Sequence, residues 1–289
     1  MPLIELRNVS VVYGPKTPYE VKALTDVSLS IESAEFVGII GPTGSGKSTL
    51  IQLMNGLIKP DKGEVLVEGA SLSGLKESQL KEIRKKVGLV FQYPENQVFE
   101  EMVEREIAFG PRNLGLSREE IEARVVKAMD YVGMDYGEYR DRSPFGLSGG
   151  QLRRVAIASI LAMEPQVLIL DEPTAGMDPQ SRRDILDRIS GIHRERGMTV
   201  VLVSHNMEDI ARLAKKIFVL NEGRLVMKGT PRDIFSQPEK VRRLGLEIPA
   251  MTELMLRLSA RGAQVRTDVF TESAARDELL KHLKGAGNA

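Results

Sequence analysis

FVGIIGPTGSGKSTLIQLMNGL (36–57) is the stretch from which the fold is read. Its first five residues are wholly apolar, as in a strand buried on both faces of a covered sheet. The strand runs into GPTGSGKS (41–48), and KSTLIQLMNGL (47–57) then reads as a helix. Strand, glycine-rich loop and helix in this order are the context in which G-x-x-x-x-G-K-[ST] is a phosphate cradle rather than a turn rich in glycine. Glycines let the backbone N–H groups curl inward onto an anion. The helix beginning near Lys47 adds its positive dipole end. Gly41, Pro42, Thr43, Gly44, Ser45, Gly46 and Thr49 are therefore the expected nucleotide cradle. Lys47 is expected to reach the β- and γ-phosphates and Ser48 to ligate Mg²⁺.

VLILDE (167–172) supplies the acid half. Four apolar residues bury this strand, and Asp171 and Glu172 emerge at its carboxyl end, where ligands bind in open α/β sheets. Neighbouring strand residues face opposite ways, so the two carboxylates need not share a role. Asp171 is the expected Mg²⁺ partner, through water, and Glu172 the base that polarises an attacking water.

The remaining chain arranges itself around these two strands. LIELRNVSVVY (3–13) and VSLSI (27–31) alternate like half-buried antiparallel strands, with a loop predicted over GPKTPYEVKAL (14–24). EVLVEG (64–69) and KVGLVFQ (86–92) read as a hairpin-like pair separated by a charged helix at 76–86. Residues 99–163 are mostly helical: FEEMVEREIAF (99–109), SREEIEARVVKAMDYV (117–132) and QLRRVAIASILAME (151–164). Alternation then resumes with a helix at 179–195, the strand TVVLVSH (199–205), a helix at 207–214 and the hairpin KIFVLNEGRLVMKG (216–229). From 229 the pattern is helical and polar, and GAGNA (285–289) reads as a disordered end. Strand–helix alternation predicts an α/β class with a mainly parallel core sheet, interrupted by a helical insertion.

Composition narrows the function classes. Of 289 residues, 40 are Lys or Arg and 40 are Asp or Glu. No global basic field points to nucleic acid, and no nucleic-acid partner is expected. There is no cysteine, which removes disulfides and thiolate metal sites and suits a reducing compartment. The longest apolar run, VAIASILAM (155–163), falls far short of the roughly 18 residues a membrane span needs. The start, MPLIELRNVS, carries charges where a signal peptide needs an apolar core. Any work at a membrane is expected to go through partners.

LSGGQ (147–151) lies between the two phosphate-site motifs. Ser148, Gly149 and Gly150 precede a helix and make a second anion-binding helix N-terminus. With GPTGSGKS before it and VLILDE after it, LSGGQ makes residues 1–225 resemble the ABC (ATP-binding cassette) ATPase family, of which it is the signature. The resemblance implies a P-loop NTPase fold: a mainly parallel core sheet, an antiparallel β subdomain, a helical signature subdomain and a C-terminal helical extension. It places the ATPase domain at 1–228, with the helical subdomain at about 99–163, and the extension at 229–289. ATP and Mg²⁺ are the implied cofactors. Two such domains pair head to tail in this family, so Ser148, Gly149, Gly150 and Gln151 are implied to serve the ATP held by a second subunit. Gln92 matches the Q-loop glutamine, near Mg²⁺ and the attacking water. His205 matches the switch histidine that contacts the γ-phosphate, unlike His193 and His282, which fall in predicted helices without a motif. Asp178, in PTAGMDP (173–179), matches the D-loop aspartate linking the two sites. Tyr13 matches the aromatic that stacks on adenine, with Tyr19 in the following loop as a competitor.

FQYPENQVF (91–99), PTAGMDP and LSGGQLRRVAIASILAMEP (147–165) look closely like the ATPases of energy-coupling factor transporters, importers of vitamins and transition-metal ions. The long loop YGPKTPYEVKAL resembles the second of two paralogues that pair in many such systems. The implied partners are a second ABC ATPase (a paralogue or a second copy), a transmembrane coupling protein and a substrate-capturing membrane protein. The implied location is peripheral, on the cytoplasmic face of the membrane. In YPENQVF (93–99), Val98 and Phe99 are apolar anchors where a membrane partner's helix is expected to dock. The ATPase of another ABC transporter class is the rival reading. DNA-repair and chromosome ATPases of this type insert long coiled coils or zinc modules before the signature. Residues 49–146 hold no sustained heptads and no Cys. ABC translation factors usually carry two cassettes, and here there is one.

Overall fold

The computed structural model describes residues 1–92 and 97–286. Tyr93, Pro94, Glu95 and Asn96 of the expected docking segment and the last three residues of GAGNA lie outside the described residues. The fold is built on two sheets. In the first, β1 (Ile4–Tyr13) pairs antiparallel with β2 (Val21–Ile31) on one side and β4 (Lys62–Val67) on the other, and the short β5 (Ala70–Ser71) closes the edge. The second contains β3 (Phe36–Ile40), β6 (Val87–Val90), β7 (Val167–Asp171), β8 (Thr199–Val203), β9 (Lys216–Asn221) and β10 (Arg224–Gly229). Its order is β10-β9-β3-β8-β7-β6, parallel except for the β10 edge strand.

The apolar runs of the second sheet are explained by two cores, one on each face. Along β7, Leu168 and Leu170 pack to one side while Val167 and Ile169 pack to the other. β8 divides Val200 and Leu202 from Val201 and Val203 in the same way. One core joins the sheet to β1, β2, β4 and the helix α1 (Lys47–Met54), whose Leu50, Ile51, Leu53 and Met54 are fully buried. The other receives α7 (Pro179–Arg196), α8 (Met207–Leu213) and the helical insertion: α3 (Val103–Asn113), α4 (Arg118–Tyr131), α5 (Tyr136–Tyr139) and α6 (Gly149–Leu161). Each fully buried Leu, Ile or Val contributes about 1.5–3 kcal/mol, so this double burial dominates the stability of the sheet.

After β10 come α9 (Pro231–Phe235), α10 (Pro238–Arg243), α11 (Ala250–Ala260) and α12 (Glu272–Ala286). Ile234, Phe235, Val241, Leu246 and Ile248 sink into the second core, while Met255, Val269 and Ala275 form a small cluster of their own.

Three local expectations are corrected. The loop predicted over 14–24 is shorter, because β2 begins at Val21, paired with Tyr13, and the β1–β2 ladder absorbs its irregularity in register shifts between Leu6 and Val12. EVLVEG and KVGLVFQ do not form a hairpin-like pair. β4 joins the antiparallel sheet, whereas β6, buried at every residue, lies parallel to β7, with α2 (Glu77–Lys86) between them in sequence. A wholly apolar strand needs cover on both faces, which only the large sheet provides. The helix expected from residue 99 starts at Val103. The N–H groups of Phe99 and Glu100 instead donate to Oε2 of Glu106, a buried carboxylate of the first turn of α3, at 3.0 and 2.9 Å.

Candidate active site

The cleft lies at the carboxyl ends of β3, β7 and β8, where a parallel sheet leaves room for a ligand. Tight backbone contacts set the shape of its floor. Gly46 has φ +97°, and a Cβ there would lie 2.4 Å from the Ala23 carbonyl oxygen. A Cβ on Gly41 would lie 2.3 Å from the Leu220 carbonyl oxygen. Only glycine lets the loop turn so closely past β2 and β9. The resulting cleft is about 300 Å³ and is lined by Tyr13, Val21, Ala23, Thr43, Gly44, Gly46, Lys47, Ser48, Thr49, Gln92, Asp171, Glu172 and His205.

Lys47 opens α1 and is buried, and its Nζ donates to the carbonyls of Gly41 and Pro42 at 2.7 and 2.9 Å. The ammonium thus lies against the inside of its own loop. Burial pulls its pKa down, and the charges of Glu172 and Asp171 pull it back up. Ser45 is buried in the loop beside it. Ser48, the next residue of α1, donates from Oγ to Asp171 Oδ2 at 3.0 Å. Burial raises the Asp171 pKa, opposed by that hydrogen bond and by the Lys47 and His205 charges.

Glu172 follows the last residue of β7 in the left-handed region, at φ +49°. Its N–H donates to Val203 O at 3.0 Å, so β8 holds the turn. A non-glycine residue at positive φ costs free energy and persists only where its surroundings impose it. Its Oε1 lies 3.2 Å from Nε2 of His205. Burial pushes the Glu172 pKa up to about 7; hydrogen bonding from the His205 backbone opposes this and the Asp171 charge reinforces it. Burial lowers the His205 pKa, with help from Lys47 and against Asp171. A neutral imidazole therefore faces a carboxyl group poised between its two protonation states near pH 7.

Gln92, two residues past the end of β6, lines the cleft and is exposed. Tyr13 stands at the mouth, 44% exposed, with its hydroxyl 3.3 Å from Thr49 Oγ1. Tyr19 is 84% exposed and does not line the cleft. Val21 and Ala23 do line it. The sequence reading missed them because it placed them in a loop.

The signature does not meet this cleft. Ser148 caps α6, accepting the Gln151 N–H at 3.3 Å while the Gln151 side chain accepts the Ser148 N–H at 3.0 Å. Ser148 and Gly149 are exposed, and Gly150 and Gln151 are half-buried. Asp178 is also exposed. It caps α7 by accepting the N–H groups of Gln180 and Ser181; a hydrogen bond with the Ser181 side chain, and then these backbone bonds, lower its pKa. One chain thus presents the glycine-rich cleft in one place and the capped, exposed start of α6 in another.

Comparisons with known proteins identify the family. The sequence profile of the ABC transporter family matches residues 24–175. The energy-coupling factor transporter ATP-binding protein EcfA2 of Caldanaerobacter subterraneus subsp. tengcongensis is 54% identical, covering 99% of both chains. Its namesake from Clostridium perfringens is 50% identical over 97% of this chain and 98% of its own. Among solved structures, cbiO1 of Clostridium perfringens, described as part of the ABC transporter complex cbiONQ, superposes with a TM-score of 0.75 at 34% identity, over 88% of this chain and 99% of its own. The ATP-binding cassette MJ0796, in a dimeric post-hydrolysis state bound to ADP and Pi, gives a TM-score of 0.73 at 30% identity, over 79% of this chain and 99% of its own. The chain belongs to the ABC transporter family, as an ATP-binding and ATP-hydrolysing subunit of an energy-coupling factor transporter.

Proposed function

We propose that the cleft hydrolyses ATP with Glu172 as the general base, and that turnover requires a second ATPase subunit. The observation that carries the reading is the meeting of Glu172, His205, Lys47 and the Ser48–Asp171 pair in one cleft, with the signature exposed elsewhere. The N–H groups of residues 43–49 and the ammonium of Lys47 hold the β- and γ-phosphates, the ammonium exchanging its bonds to Gly41 and Pro42 for phosphate oxygens. Tyr13 offers its ring to adenine. Ser48 Oγ, directly, and Asp171, through water, would hold Mg²⁺, an ion that needs few protein oxygens; the two side chains already meet at 3.0 Å. Bound there, Mg²⁺ would neutralise charge on the phosphates. Among the described residues no cluster of three or more His, Asp or Glu is placed to hold a metal, in the cleft or elsewhere.

Glu172 takes a proton from water as the water oxygen attacks the γ-phosphorus. The bond to the β–γ bridging oxygen breaks, giving ADP and phosphate. His205 orients the Glu172 carboxylate and contacts the γ-phosphate, and Gln92, which also lines the cleft, approaches Mg²⁺ and the attacking water. Ser148, Gly149, Gly150 and Gln151 serve the ATP of the partner subunit, and Asp178 links the two sites. The exposure of Ser148, Gly149 and Asp178, and the dimeric state of MJ0796, support this arrangement.

The ATPase body is proposed at 1–228, with its helical subdomain at about 99–163. The extension from 229 supports pairing, consistent with the exposed Leu254, Leu280 and Leu283. The membrane partners are a transmembrane coupling protein and a substrate-capturing protein that selects a vitamin or metal-ion cargo, met from the cytoplasmic side. Among the described residues no helix is long and apolar enough to cross a membrane. The docking segment retains one exposed anchor rather than two. Val98 is buried, whereas Phe99 is 56% exposed and meets Phe109 edge to face at 4.8 Å.

Glu172→Gln tests the chemistry. It is nearly isosteric and cannot take a proton, so ATP affinity should persist while turnover falls by about 10²–10⁴-fold and a closed dimer accumulates. Substantial turnover in this variant would remove Glu172 from the role of base.

A further inference from the structure

Tyr139 belongs to no motif, yet its hydroxyl reaches the signature. Gln151 is the third residue of α6, and both ends of its amide are engaged: Oε1 by the Ser148 N–H, and Nε2 by donation to the Tyr139 hydroxyl at 3.1 Å. This pair of contacts sets the amide's orientation, because only its oxygen accepts and only its nitrogen donates. The tyrosine is itself held. Its ring lies under the Arg142 guanidinium at 4.6 Å. Arg142 in turn donates to the carbonyl and carboxylate of Glu138 at 3.0 and 2.9 Å. The strap 138–142 is pinned to the start of α3, where the N–H groups of Val103 and Glu104 donate to the carbonyls of Arg142 and Arg140, each at 3.0 Å. Two N–H groups that the helix leaves without an internal partner are thereby satisfied by the strap.

We propose that Tyr139 is a positioning residue for ATP hydrolysis: by fixing the Gln151 amide, it holds Ser148 and the first turn of α6 in the geometry that meets a γ-phosphate bound to the partner ATPase. The proposal rests on the reading that the signature acts across the dimer. An anion site at a helix start works through donors already in place when the charge arrives. Without the phenol, one end of the Gln151 amide loses its anchor. The reciprocal bonds that fix the Ser148 backbone then loosen.

Tyr139→Phe keeps the ring and its contact with Arg142 and removes only the hydroxyl. Three quantities decide the matter: steady-state hydrolysis by the full-length chain assembled with its partner ATPase, binding of a fluorescent ATP analogue to the chain alone, and the thermal midpoint. The ATP concentration for half-maximal turnover is expected to rise roughly three- to tenfold, the effect of one hydrogen bond. Analogue affinity should not change, because Tyr139 does not line the chain's own cleft. The midpoint should stay near that of the parent chain. Unchanged kinetics, or parallel losses in all three readings, overturns the proposal. Gly149→Asp isolates the underlying reading. A Cβ there meets nothing within 4 Å, and a carboxylate in the first turn favours the helix, yet it repels a phosphate. Normal turnover in Gly149→Asp overturns the trans reading and the proposal with it. Turnover lost there but normal in Tyr139→Phe overturns the proposal alone.

Discussion

Glu172 and His205 sit at the ends of neighbouring strands with 3.2 Å between their side chains, and burial acts on them in opposite directions. A base must be ionised, so with a pKa of about 7 for Glu172 the kcat for ATP is expected to climb from about pH 6 to about pH 8. A flat profile measured at saturating ATP would contradict the assignment. Stability follows a different sign. A carboxyl raised in the folded state stabilises most below its unfolded value, and that contribution is lost as pH rises to about 7. His205, whose folded value is lowered, contributes stability above its unfolded value that is lost as pH falls through the folded one. With Glu172 as the proposed base, the cleft would work where its own carboxyl is costly to ionise, a common feature of catalytic groups. Glu172 was legible in VLILDE, and His205 through the family resemblance at the end of TVVLVSH. Their shifted pKa values were not, because these depend on burial among residues distant in sequence.

At the scale of elements, function depends on how closely helices approach strands. α8 begins just after His205 and packs on β3 at Gly38, where a Cβ would lie 3.0 Å from Ile210 Cγ2 and 3.3 Å from Ala214 Cβ. Gly38→Val should therefore push α8 outward and cost about 1–3 kcal/mol through overpacking. A thermal-unfolding midpoint equal to that of the parent chain would show that the helix yields freely. The positions of strands and helices were largely readable from apolar runs and caps. Sheet membership was less so. β4 and β6 are near neighbours in sequence, but which sheet each joins depends on whether one or both of its faces find cover. The early start of β2 was hidden for a similar reason. Pro15 and Pro18 signal a loop, while the ladder that recruits Val21 is a contact with Tyr13.

At the scale of the whole molecule, the cleft and the signature are separated on one chain, which is the geometric ground for the proposed second subunit. Extraction of the native complex in mild detergent is expected to recover this chain with a second ABC ATPase and at least one membrane protein. Recovery only as a soluble homodimer would remove the paralogue pairing from the proposal. Identification of the co-purified capture protein would define the cargo class.

The order of motifs from Lys47 to His205 was enough to determine the chemistry, because phosphate binding demands glycines, a lysine and carboxylates at fixed places along strand and helix ends. The large-sheet class followed from the unbroken apolar runs of β3, β7 and β8. Tertiary structure alone decided which carboxyl faces His205, that Lys47 lies against its own loop, that Val98 is buried beside an exposed Phe99, and that Tyr139 reaches Gln151. Each of these is a contact or burial set by segments packed together in space. No spacing within a single strand or helix encodes them.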